Sequence, residues 1–161
     1  MPYFTSAREL FESASEASRD AERIRHQLAA MEHRAEGIGG GGFEPRVRST
    51  GEPDRMAGRV AVLVDKEELL HRQCEYDYAI IDYANRVLYG DDMDAGLLSL
   101  MGWRARAIDL HYLVGLTWAQ AGAVLGYSEQ HVWREAQVAL EACDTWGLLD
   151  TMRGRGCAED R

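Results

Sequence analysis

The sequence predicts an all-α protein, with a long N-terminal helical hairpin of coiled-coil character and a C-terminal three-helix helix-turn-helix domain. Three observations carry that reading. Small and apolar residues recur at alternating four- and three-residue steps near the start of the chain, the period of a helix that packs along another helix. A second stretch, 56–88, holds a similar but less regular seam. Between 102 and 140, two helix-start signals bracket a pair of glycines at the spacing of two crossing helices. The expected division is 1–96 for the hairpin, interrupted by a Gly-rich linker at 37–58, then 97–150 for the helix-turn-helix domain, and 151–161 for a disordered tail.

The first seam runs through Leu10, Ala14, Ala17, Ala21, Ile24, Leu28, Met31 and Ala35. Thr5 or Ser6 caps this helix, and Glu9, three residues beyond Ser6, completes a capping box. Much of the seam is alanine and buries little area per turn, so the helix needs a partner to pack against. Residues 37–58 then contain seven glycines and two prolines, the composition of a flexible tether. No G-K-[ST] follows them, so a phosphate-cradling loop is not expected. The second seam passes through Val60, Leu63, Glu67, Leu70, Cys74, Asp77, Ile81, Ala84 and Leu88, with two acidic positions in it. The simplest arrangement folds the first helix back on the second, although the same seams can instead join two copies of the chain. Gly90 to Asp94 reads as a helix-capping turn, since its aspartates lack the rest of the calcium-loop pattern.

Composition narrows the function. No apolar run approaches the ~18 residues that span a bilayer, and the acidic, polar N-terminus lacks the flanks of a secretory signal. A cytoplasmic protein with no membrane association is expected. Cys74, Cys143 and Cys157 are far apart, and the five histidines form no H-x-x-x-H pair, so neither a disulfide framework nor a metal site is expected. No nucleophile, base and orienter group by motif, so no catalytic residue is assigned and no cofactor is implied. The net charge is −9. Residues 59–96 hold nine acids against four bases, whereas 97–140 hold three of each. The helix-turn-helix region is neutral, which predicts weak phosphate attraction by one head alone.

That region is the informative one. A helix with Ala107, Leu110, His111 and Val114 on one face ends at Gly115. Thr117 caps a short helix over 118–125, Gly126 and Tyr127 form a turn, and Ser128 caps a third helix over 129–140. Gly122 is small where the two backbones approach, Gly126 takes the positive φ of the turn, and Val132 points into the crossing. The second helix of such a unit reads the major groove with its first turns. Its outward residues are Glu129, Gln130, His131, Trp133 and Arg134. Gln130 suits adenine, Arg134 guanine or phosphate, and Glu129 cytosine N4. Thr117, Ser128, Arg104 and Arg106 are the backbone-contact candidates.

The stretch RARAIDLHYLVGLTWAQAGAVLGYSEQHVWREAQVAL resembles the sigma-factor region 4 helix-turn-helix, in which an aromatic-containing first helix is followed by Leu-Gly-x-Ser and Val-x-Arg. The wider layout is similar to phage-encoded regulators of the ArpU and RinA type. The resemblance implies control of phage or prophage late genes through promoter DNA. It matches Thr117 and Ser128 to the family's caps, Gly126 to its turn, Val132 to its core residue and Arg134 to its basic contact. Glu135, Gln137 and Val138 depart from the Lys and Arg usual in the later turns, and Gln120 stands where an acid is common. The expected function is sequence-specific transcriptional regulation. Double-stranded DNA, RNA polymerase and a second copy of the chain, as a homodimer, are the expected partners. The alternatives are a small terminase-like packaging protein and a protein-binding adaptor acting on a sigma factor or RNA polymerase.

Overall fold

A computed structural model describes residues 3–39, 53–91 and 94–156. These residues are overwhelmingly helical, as the periodicities require. Two long helices come first, α1 (Ala7–Gly39) and α2 (Pro53–Tyr89). A minimal antiparallel bridge, β1 (Gly90–Asp91) with β2 (Asp94–Ala95), turns the chain. Then follow α3 (Leu97–Met101), α4 (Trp103–Ile108) running on into a π-helical turn at Asp109–Leu113, α5 (Trp118–Leu125), α6 (Glu129–Thr145) and α7 (Leu148–Gly156). Among the described residues, no helix is long and apolar enough to cross a membrane.

The chain divides into two compact units, Met1–Arg19 with Asp77–Arg161, and Asp20–Tyr76. The boundary therefore does not fall at 96/97. The first turns of α1 and the last turns of α2 belong to the same core as α3–α7. Leu10 and Phe11 of α1, Tyr83 and Val87 of α2, Ile108 of α4 and Val132 of α6 are all buried in it. Phe11 lies against Tyr112, and the Ala7 N–H donates to Asp144 Oδ1 at 2.6 Å. The reason is geometric. Helices as short as α3 to α5 present narrow apolar stripes, and a core of native density needs further side chains to close over them.

Other expectations shift for related reasons. The buried stripe at the end of α2 is Ile80, Tyr83, Ala84, Val87 and Leu88, while Ile81 is only half-buried. A heptad seam faces one helix, but this end faces several elements and carries a wider stripe. The side chains of Val60 and Leu63 lie outside the described residues. The expected linker at 37–58 is helical through Gly39 and again from Pro53. Proline is compatible with the first helical position, and one glycine costs a helix only about 1 kcal/mol. Residues 40–52 lie outside the described residues. The tail is ordered through Gly156, because Leu148, Leu149 and Met152 share one face of α7 and are buried. Residues 157–161 lie outside the description. The expected three-helix domain is subdivided further. Gly102, at φ 57°, separates α3 from α4. The π turn admits an extra residue, which rotates Val114 outward to 57% exposure, off the apolar face assigned to it.

The smaller unit comprises the C-terminal part of α1 and the N-terminal part of α2. Ala21 and Ile24 are buried, and Leu28, Met31, Leu70 and Cys74 are half-buried. Its surface carries ion pairs at helical spacing, such as Arg23 with Asp20 and Arg72 with Glu68. Exposed pairs of this kind add little stability.

The shared core has a measurable consequence. Phe11→Ala should destabilise the protein by about 3–5 kcal/mol in urea unfolding, the range for a buried phenylalanine. Met152→Ala should cost about 2–5 kcal/mol. An unchanged midpoint for either variant would show that the α1 N-terminus, or α7, lies outside the core.

Candidate nucleic-acid interface

Helices α5 and α6 meet at a three-residue turn whose geometry is set by local chemistry. Thr117 opens α5 with a reciprocal capping box. Its Oγ1 accepts from the Gln120 N–H at 3.2 Å, and Gln120 Oε1 accepts from the Thr117 N–H at 2.9 Å. A glutamine amide carbonyl thus does here what a carboxylate does in other capping boxes. Gly126 closes α5 at φ 78°, ψ 26°, and the Tyr127 N–H returns to the Gly122 carbonyl at 2.9 Å. A Cβ at Gly122 would lie 2.7 Å from the Tyr127 carbonyl oxygen. That distance admits only glycine, and it brings the start of α6 against the middle of α5. Ser128 Oγ then accepts from the His131 N–H at 3.3 Å and caps α6.

Burial sorts α6 into two faces. Val132, Ala136, Ala139, Leu140 and Cys143 are buried against the unit. Burial also pushes the Cys143 thiol up to about 12, so at neutral pH it is a protonated packing group. Glu129, Gln130, His131, Trp133 and Arg134 are all exposed. Arg134 makes no ion pair among the described residues. The helix runs to Thr145, one turn beyond the expected end.

The other candidate residues are engaged differently. Arg104 forms an ion pair with Glu135 of α6. Arg106 donates to Asp109 at 2.6 Å and reaches the Tyr89 hydroxyl at 3.4 Å. Asp109 is buried, and a buried carboxylate needs such a partner. Both arginines pair with carboxylates, and each side chain remains nearly half exposed. Thr117 and Ser128 spend their hydroxyls on capping.

Two aromatic groupings were not legible in the sequence. Trp103 stacks on Tyr127 of the turn, with centroids 4.5 Å apart, and on His131 at 5.5 Å. His131 is thus held by Trp103, far from it in sequence, as well as by Tyr127 one turn before it. On the other side, His111 stacks on Trp118 at 3.7 Å, and its Nδ1–H donates to the Leu116 carbonyl at 2.7 Å, which pins the loop before α5. Trp103 follows directly on Gly102, so a helix start was readable there, but its partner across the turn was not.

Comparison with known proteins yields no match, whether to a family model, a curated protein or a solved structure.

Two substitutions probe the turn. Gly122→Ala should cost about 1–3 kcal/mol, as overpacking does, and Gly126→Ala about 1–2 kcal/mol for its left-handed backbone. Thermal melts would read both. Wild-type stability in Gly122→Ala would rule out the close approach.

Proposed function

We propose that α5, its turn and α6 form a DNA-reading helix-turn-helix, and that the protein is a sequence-specific transcriptional regulator. The observation that carries this reading is the division of α6. Its first two turns expose Glu129, Gln130, His131, Trp133 and Arg134, while Val132 and Ala136 anchor the opposite side. A helix held rigidly at its base, with amide, guanidinium and carboxylate groups projecting from its N-terminal turns, has the chemistry to read base edges in a major groove. Gln130 and Arg134 are the base readers in this scheme. The likeness to sigma region 4 suggests phage or prophage promoters as the setting. The long helices act as a hairpin that joins two copies or meets RNA polymerase, and linking two neutral heads raises their effective concentration on DNA.

A protein-binding head is the second reading, favoured by Val124 and Val138, which are exposed on the same two helices. Apolar side chains of that kind gain nothing from phosphate.

Fluorescence anisotropy on DNA flanking the gene, across a salt series, separates the two. Specific binding should weaken as salt rises, and Gln130→Ala with Arg134→Ala should lose about 1–3 kcal/mol per base contact. A folded protein that binds no DNA at low salt would eliminate the DNA reading in favour of the protein-binding one.

A further inference from the structure

Of the arginines in the larger unit, Arg86, Arg104, Arg106 and Arg153 are each tied to a carboxylate. Among the described residues of that unit, Arg8, Arg19 and Arg134 form no ion pair. All three gather about α6. Arg134 stands on it, Arg8 donates to the side-chain oxygen of its Gln137, and Arg19 lines a cleft with its Trp133 and Gln137. This open cleft, of about 510 Å³, has the start of α1 as one wall and Thr117, Trp118, Trp133 and Gln137 opposite. In a chain of net charge −9, these three cations are left out of ion pairs among the described residues of the unit, although Glu12 and Glu16 line the same cleft.

We propose that the start of α1 is the second wall of the DNA site, with Arg8 and Arg19 contacting the phosphate backbone of a strand lying along this cleft. The inference rests on the DNA-reading proposal above and assigns the residues that supply its sequence-independent affinity. A guanidinium has five N–H donors, and Arg8 commits one to Gln137 Oε1, so donors remain for phosphate oxygens. Trp133 offers its exposed ring to the sugar face of the same strand. Glu12 and Glu16 lie on the same wall. They oppose a phosphate and keep the wall's net attraction small, so affinity depends on both arginines.

The test is a salt series with wild type and the variants Arg8→Ala, Arg19→Ala, Arg19→Lys, Glu16→Gln, Arg134→Ala and Arg86→Ala, on specific and scrambled duplexes. Each phosphate contact contributes about 0.9 to the slope of log affinity against log salt. Loss of Arg8 or Arg19 should therefore shrink the affinity change between 50 and 200 mM salt by about 3.5-fold, on both duplexes alike. Arg19→Lys should restore the slope, Glu16→Gln should tighten binding, and Arg86→Ala should match wild type. A wild-type slope in both Arg8→Ala and Arg19→Ala, alongside lost discrimination between specific and scrambled duplexes in Arg134→Ala, overturns this inference and leaves the reading head standing. Equal flattening in Arg86→Ala also overturns it, because the effect would then be general charge. Absence of wild-type binding at 50 mM overturns the inference and the DNA reading together.

Discussion

Tyr83 of α2 is the largest fully buried side chain in the core. It lies beside Phe4 just before α1, with ring centroids 6.2 Å apart, and its hydroxyl donates to the Leu149 carbonyl of α7 at 2.8 Å. One residue thus ties the two ends of the larger unit to its middle. A buried phenol must satisfy its hydroxyl or lose stability, and here the acceptor is the backbone of the last helix. Burial raises the Tyr83 pKa, so the group stays a neutral donor across the physiological range. The first turns of α1, the end of α2 and α7 are held together in this way, α6 packs on α7, and α4 and α5 pack on α6.

That packing gives α6 a rigid base. Val132 and Ala136 are buried without exposure, and the turn before them is locked by the contact at Gly122. The proposed DNA-reading role would draw on rigidity of this kind, because side chains that must meet base edges lose affinity when their own helix has to be ordered first. The paired arginines belong to the same support. Arg104 joins α4 to Glu135 of α6, and Arg106 satisfies the buried Asp109 at the π turn. Their charge is spent inside the unit, which leaves the outer surface of α6 with little positive charge of its own.

Local rules reached far into the fold. The α1 seam is buried from Leu10 through Ala14, Ala17 and Ala21 to Ile24, and half-buried at Leu28 and Met31, while the side chain of Ala35 lies outside the described residues. Thr117, Gly122, Gly126 and Ser128 do in the structure what their identities require, because capping, positive φ and close backbone approach are decided within a few residues. The exposure of Glu129, Gln130, His131, Trp133 and Arg134 follows from the same helical phase. Elsewhere a short-range rule was outweighed. Glycines at the end of α1 do not stop the helix, and the expected tail is helical from Thr151 to Gly156, on a helix anchored by Leu148, Leu149 and Met152.

The sequence by itself determined that the protein is helical, where α5 and α6 begin, and which side of α6 faces out. Each of these depends on hydrogen bonds and periodicities spanning four to seven residues. Only the tertiary structure decided that α1 and α2 lend their ends to the C-terminal core, that Trp103 stacks beneath His131, and that Arg104 and Arg106 are neutralised while Arg8 and Arg19 stand beside α6. Those outcomes join residues up to 137 positions apart, as Ala7 and Asp144 are. Contacts at such range are chosen by the volume and charge left unsatisfied when the helices pack, and no local pattern encodes them.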